Sequence, residues 1–209
     1  MDLKAIGRIL GSRFEAVAGD GERGLQELEL GEGSAVLDVG TGNGNFAIFL
    51  ASRGYRVVTG EPGTDRSQYA GRDWAVNAGR AGVLDRIRFQ AFDASRMPFE
   101  PESFDAVFFF GVLHHIDEGV RREVFQEALR VVKGNGAVVF FEPRREMLEK
   151  LWVDDPAHPP AANPSDYRPE RGIGEQRKIE GSWMDIFLYR KAAEDRPGSP
   201  QPAGSMTCG

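Results

Sequence analysis

Val36-Leu37-Asp38-Val39-Gly40-Thr41-Gly42-Asn43-Gly44-Asn45 puts an apolar strand, an acid and three alternate glycines into one strand-to-helix turn. Ala35 to Val39 is apolar enough for a parallel strand buried on both faces, and Phe46-Ala47-Ile48-Phe49-Leu50 opens a helix against the same sheet. Glycine allows positive φ and lets backbone approach a ligand with no Cβ between them, while the helix that follows offers unpaired N–H groups. The run reads as a cradle for a nucleotide-bearing cofactor. The alternative is a glycine turn that only ends a strand.

The spacing separates cofactors. A dinucleotide fingerprint asks for Gly-x-Gly-x-x-Gly, with a pyrophosphate on the helix N-terminus. Here the third glycine, Gly44, comes one residue early and Asn45 holds the fingerprint position. Asp38 precedes the first glycine, where its charge attracts an ammonium and repels a phosphate. A cationic cofactor bearing an amino-acid moiety fits better than a nicotinamide dinucleotide.

With 209 residues, 41% of them hydrophobic and 28% charged, the chain has the composition of a soluble globular domain. No apolar run approaches the roughly 20 residues of a membrane span, and Met1-Asp2-Leu3-Lys4 lacks the pattern of an export signal, so neither membrane insertion nor export is expected. The single cysteine, Cys208, cannot form an internal disulfide, in keeping with a reducing cytoplasm. A net charge of −6 argues against a nucleic-acid partner, which asks for clustered Lys and Arg. Arg121-Arg122 and Arg144-Arg145 read as solvated helix faces or as contacts for an anionic substrate.

Outward from the glycine turn, strand and helix patterns alternate, which predicts a Rossmann-like, doubly wound α/β sheet with helices on both faces. Strands are expected at 35–39, 55–60, 86–91, 104–110 and 136–142. Helices are expected at 3–17, 21–28, 44–53, 65–81, 119–132 and 144–152, with Gly54, Gly82 and Gly134 as stop signals. Residues 177–182 and 183–189 alternate well enough for a terminal antiparallel pair around Gly181, completing seven strands in a mostly parallel sheet. The proline-rich stretch 154–164 suits neither a helix interior nor a central strand and reads as an ordered loop or lid, centred on 156–164. The expected division is an N-terminal helical segment over 1–30, the sheet domain over 31–191 and a disordered tail over 192–209.

Two more acids stand at strand ends. Glu61 follows the second strand, where a carboxylate accepts both hydroxyls of a ribose. Asp93 ends the strand through Phe92, where a side chain accepts from an adenine amino group. Ligands of open parallel sheets bind outside the carboxyl ends of the strands near the switch point, so Asp38, Glu61 and Asp93 should converge on one crevice. Taken singly, each is also an ordinary cap or turn residue.

Together the glycine run, Glu61, Phe92-Asp93-Ala94 and Ser103-Phe104-Asp105-Ala106-Val107-Phe108-Phe109-Phe110 resemble the class I S-adenosylmethionine-dependent methyltransferases. Leu113-His114-His115-Ile116 and Arg130-Val131-Val132-Lys133-Gly134-Asn135-Gly136 resemble segments of their small-molecule subgroup. The resemblance covers about 30–145 and continues more loosely to Lys191. It implies a seven-stranded sheet ending in an antiparallel pair, with S-adenosyl-L-methionine as cofactor and S-adenosyl-L-homocysteine as product. It also implies roles: Asp38 with Gly40, Thr41, Gly42 and Gly44 near the methionine moiety, Glu61 on the ribose, Asp93 and Ala94 beside the adenine, Phe110 and Gly111 at the methyl-donor end. Pro62, on the ribose side of the crevice, departs from the family by fixing φ and removing a backbone donor.

Methyl transfer from a sulfonium is an in-line displacement in which the protein mainly positions the reactants. A base helps when the acceptor is a hydroxyl or a protonated amine. His114 and His115 are the histidines near the expected donor end, and either is a candidate base; alternatively one packs the turn into the next helix while the other meets solvent. Glu142 stands either at the mouth of the acceptor pocket or as a helix cap. His158 is distant in sequence, so the histidines show no convincing metal-ligand spacing and no metal is expected. Trp152, Tyr167 and Trp183 are core residues or acceptor-pocket walls. The absence of an Asn/Asp-Pro-Pro-Tyr segment after Phe110 argues against a nucleic-acid acceptor, and a lone tail cysteine argues against arsenic. The expectation is a cytoplasmic methyltransferase with a small-molecule acceptor. A noncatalytic S-adenosylmethionine-binding regulator, a protein methyltransferase and an NAD(P) oxidoreductase are the alternatives.

Overall fold

A computed structural model describes residues 2–65, 70 and 73–192. Among them, β1 (Ala35–Val39) is central in a seven-stranded sheet. β2 (Arg56–Gly60) and β3 (Ile87–Phe89) extend it in parallel on one side, β4 (Phe104–Phe110) and β5 (Val132–Pro143) in parallel on the other. β7 (Met184–Lys191) joins β5 antiparallel, and β6 (Ile173–Glu180) joins β7 the same way, for an order of β3-β2-β1-β4-β5-β7-β6. The order reverses between β1 and β4, which opens the crevice where such sheets bind ligands.

Side chains alternate between the two faces of each strand, so consecutive apolar residues feed two separate cores. On one face Val36, Phe108, Val139 and Phe141 pack with Phe46, Ile48 and Phe49 of α3 (Asn45–Ser52) and with Ile6 and Phe14 of α1 (Leu3–Leu10) and α2 (Ser12–Leu25). On the other, Leu37, Val107, Phe109, Val138 and Phe140 meet Val124, Phe125 and Leu129 of α5 (Arg121–Val131). The first 30 residues therefore share the sheet's own core. α4 (Trp74–Arg80) and α6 (Arg145–Asp154) complete the helices longer than a single turn.

The expected strands 35–39 and 104–110 match, while several boundaries move. The opening helix breaks at Gly11, at φ +87°, instead of ending at Val17, and α2 runs on through Gly21 and Gly24. Those glycines let the helix lie against aromatic rings: a Cβ on Gly21 would stand 2.5 Å from Phe49, and one on Gly24 2.7 Å from Phe141. β5 begins at Val132, so Gly134 lies inside the strand and is no helix stop; a bulge containing Asn135 at φ +64° separates the Phe104–Val132 pairing from the regular register at Ala106–Ala137. β3 is shorter than 86–91, and Asp93 lies in the turn beyond it. The closing hairpin pairs 173–180 with 184–191 and turns over Gly181–Trp183. Of the expected helix 65–81, Trp74–Arg80 is helical; 66–69, 71–72 and the tail from 193, with Cys208, lie outside the described residues.

Candidate active site

Two cavities, of about 540 and about 510 Å³, open at the carboxyl ends of the strands and share Gly40, Gly42 and His115. The first is walled by Glu61, Pro62, Phe92, Asp93, Ala94 and Ile116. The second is walled by the glycine turn with Thr41, by Phe110, and by side chains of α2, α6 and the closing hairpin.

On the first side, the expected acids converge with one difference. Glu61 Oε2 accepts from the Gly42 N–H at 3.1 Å, which ties this acid to the glycine turn. Asp93 accepts at Oδ1 from Ser95 N–H (2.8 Å) and Ser95 Oγ (2.7 Å), which orients its carboxylate in an Asx turn at the cavity wall. Asp38 does not face either cavity. Its side chain is buried beneath the turn, where Thr59 Oγ1 donates to Oδ2 at 2.8 Å and also bonds Thr41 Oγ1 at 3.0 Å. Desolvation first, offset in part by the Thr59 bond and reinforced by Glu61, pushes its carboxyl up to about 7.

Two observations test whether this half suits a cationic nucleoside ligand. Asp38 Oδ1 is buried without a hydrogen-bond partner among the described residues, so a carboxyl that burial disfavours as an anion lies under the turn with acceptor capacity unused, ready to ionise beside a cation. Gly40 holds φ +89°, and a Cβ there would come within 2.3 Å of Val112 Cγ2, so only glycine permits the close backbone approach. Both fit a positively charged amino-acid end beside a ribose acid.

The second side is assembled from remote segments. Phe110 packs against both Phe46 and Phe141 in a three-ring cluster, with ring centroids 4.7 and 4.8 Å away. Gly111, at φ +68°, turns the chain from β4 toward His114 and donates its N–H to Phe141 O at 2.8 Å. His114 is buried, and its Nδ1 lies 2.8 Å from Glu142 Oε2. The same oxygen accepts from the Ala162 N–H at 2.9 Å, so Glu142 is neither a helix cap nor at the pocket mouth: it is buried behind the wall, holding a histidine and the proline-rich segment together. His115 keeps an exposed edge. Desolvation, then the neighbouring His114 and His158, push its conjugate acid down to about 4. His158 is shifted downward too, by desolvation and His114, against Asp155. These shifts keep His115 and His158 neutral near pH 7.

His158, Met147 and Leu151, and Ser12 with Arg13, are cavity residues that sequence reasoning missed. Met147 and Leu151 sit four apart on α6, a spacing that marks one helix face. Nothing local marks His158. It comes from the segment after α6, held by Trp152 Nε1–H donating to its carbonyl at 2.8 Å. Of the three aromatic candidates, Trp183 lines the cavity, Trp152 anchors that segment, and Tyr167 lies elsewhere, accepting from Arg121 at 2.9 Å. Trp183 is set by Asp20 on α2, whose buried carboxylate accepts from the N–H groups of Ser182 (2.5 Å), Trp183 (2.8 Å) and Met184 (2.9 Å). Lys150 Nζ lies over its ring, 4.1 Å from the centroid.

Residues 36–136 match the methyltransferase domain family. The chain is 35% identical over 109 residues to 27-O-demethylrifamycin SV methyltransferase of Amycolatopsis mediterranei, covering 52% of this chain and 38% of that one. It is 30% identical over 127 residues to a ubiquinone/menaquinone biosynthesis C-methyltransferase of Geobacter sulfurreducens, covering 58% and 47%. The chain thus spans less than half the length of these two relatives. A crystal structure assigned to the S-adenosyl-L-methionine-dependent methyltransferases, from Methanococcus maripaludis, shares the fold with a TM-score of 0.67 at 17% identity, over 92% of this chain and 93% of that one. No described helix is long and apolar enough to cross a membrane. With the sheet order, the glycine turn and its acids, the match makes residues 36–136 a methyltransferase domain of the class I, S-adenosylmethionine-dependent kind.

Proposed function

We propose that the protein transfers a methyl group from S-adenosyl-L-methionine to a small organic molecule held in the second cavity, releasing S-adenosyl-L-homocysteine. The observation that carries this is the pair of cavities meeting at Gly40, Gly42 and His115: an acid-lined nucleoside side abuts a side walled by Phe110, Met147, Leu151, Trp183 and Met184. When bound, the cofactor supplies a methyl group already activated on a positively charged sulfur. Glu61 and Asp93 hold the ribose and adenine, the 40–44 backbone and the Asp38 charge favour the methionine end, and Phe110 and Gly111 border the point where the cavities meet. The apolar walls exclude water and bring the acceptor into line, work worth on the order of 7–11 kcal/mol of barrier. On the acceptor side, Glu142 positions His114, and His114 with His115 faces the proton an acceptor must lose. The acceptors named for the two relatives, a rifamycin and quinones, support a small molecule. The single cysteine in the chain suits a cytoplasmic setting.

Calorimetric titration with S-adenosylmethionine, S-adenosylhomocysteine and NADH tests the cofactor half, with saturable binding of the two sulfur ligands alone expected. A radiolabelled-methyl screen of small hydroxylated and enolic compounds then tests transfer. NADH binding, or cofactor binding with no transfer across that screen, would return the oxidoreductase or the noncatalytic reading.

A further inference from the structure

His114, His115 and His158 meet on the wall of the second cavity, where their candidate ligand atoms lie within 4.8 Å of one another. Among the described residues this is the one group of three or more His, Cys, Asp or Glu side chains close enough to share an ion. We propose that these three histidines bind a single zinc-type ion whose remaining position faces the acceptor. The proposal rests on reading this cavity as the acceptor site.

The donor set is chemically specific. Imidazoles suit zinc and its first-row neighbours, and three protein ligands with one open position is the arrangement of sites that act on a substrate. The surroundings are those of a ligand shell as well. Glu142 engages Nδ1 of His114 at 2.8 Å, which fixes the ring and leaves Nε2 to coordinate. Asp155 Oδ2 lies 3.7 Å from Nδ1 of His158, and Trp152 ties the His158 carbonyl in place. The rings are already gathered, with centroid separations of 4.2, 4.9 and 5.2 Å. A tetrahedral ion with nitrogen ligands at about 2.0–2.1 Å draws those nitrogens to roughly 3.4 Å apart. The widest ring pair is His114–His158, so closure draws the 158 segment inward as well as the exposed His115 ring. Ring-on-ring packing alone does not account for a buried carboxylate aimed at the outer nitrogen of His114.

The open position selects an acceptor that offers an oxygen: an alcohol, phenol or enol. Bound there, its hydroxyl gives its proton to solvent water, because His114 and His115 as ligands have no free nitrogen lone pair to take it and give up the base role they have in the metal-free reading. The new bond from carbon to the acceptor then forms as the methyl–sulfur bond breaks, and that electron pair stays on sulfur.

The test uses untagged full-length protein stripped with a chelator and titrated with Zn²⁺ by calorimetry and with Co²⁺ by visible absorption. We expect one ion per chain and the intense d–d bands of a tetrahedral Co²⁺ site. The exposed-edge variant His115→Gln should weaken Zn²⁺ by more than a hundredfold and quench the bands, and Glu142→Gln should weaken it by about 10–100-fold. Circular dichroism checks that each variant is folded, with His158→Gln as the second ligand variant if one is not. Substoichiometric binding, octahedral-type weak absorption, or affinity unchanged in the folded ligand variants would overturn the site. S-adenosylmethionine titrated in parallel separates the two readings: cofactor binding without a metal removes only this inference, and metal binding without cofactor removes only the methyltransferase reading.

Discussion

The two halves of the crevice are built in opposite ways. The cofactor half is made where strands end: the 40–44 turn after β1, Glu61 after β2 and Asp93 beyond β3, each a few residues from the element that places it. The acceptor half draws on α2, the turn after β4, the buried end of β5, α6, the 155–162 segment and the closing hairpin. The family match over 36–136 covers the first half and stops before Glu142, His158 and Trp183. On the proposed function, the cofactor is recognised by local geometry and the acceptor by what the rest of the chain folds around it.

If the halves are separable, variants should split them. The largest effect is expected for Gly40→Val, which must place a Cβ against Val112 at positive φ. Cofactor affinity should fall more than a hundredfold, about 3 kcal/mol, and Val112→Ala should restore a Gly40→Ala variant only in part, since the dihedral strain stays. Calorimetry checks both; unimpaired binding would remove the turn from the cofactor site. Asp20→Ala strands the buried Met184 N–H and removes the partner of the part-buried Ser182 and Trp183 N–H groups, and should cost about 2–3 kcal/mol of stability in denaturant melts. At a temperature where that variant is folded, cofactor affinity should stay within about twofold, and a parallel loss would mean that the halves are coupled. Glu61→Ala should weaken the cofactor by about 10–30-fold, the loss of one charge-assisted pairing, with little change in melting temperature.

The smallest effect is a pH dependence of a few fold. The folded Asp38 carboxyl, raised to about 7, keeps a proton that the unfolded chain has already lost, so its contribution to stability falls as pH rises from about 4 to about 7 and is flat above. A cationic ligand favours the carboxylate, so S-adenosylmethionine affinity should rise between pH 6 and 8 with proton release, seen by calorimetry in buffers of different ionisation enthalpy. Asp38→Asn should flatten the profile; a slope that survives would assign it elsewhere.

Which parts were legible follows from the range of the interactions. β1 and β4 match their expected limits because a strand buried on both faces needs an unbroken apolar run, and 35–39 and 104–110 are such runs. That Glu61 and Asp93 line one cavity was legible because they sit at fixed offsets from strands. The glycines of α2 misled, since their helical role depends on Phe49 and Phe141, which only the fold brings near. Asp20 gave no sign of function, because its partners lie 162–164 residues away. His158 was invisible for the same reason, and with it the histidine cluster. Asp38, expected in the crevice with the other two acids, lies under the turn instead of on the cavity wall.

The segment after α6 is fastened at two points, through Trp152 to the His158 carbonyl and through the Ala162 N–H to Glu142, while Pro160 and Ala161 between them lie exposed. Lengthening a chain between fixed ends is inexpensive, about 0.6 kcal/mol of closure entropy per doubling. Insertions after Pro159 therefore lengthen an exposed stretch while Glu142 keeps its grip on His114 and on the Ala162 N–H. The chain can grow between two staples there with the glycine turn and its acids left untouched.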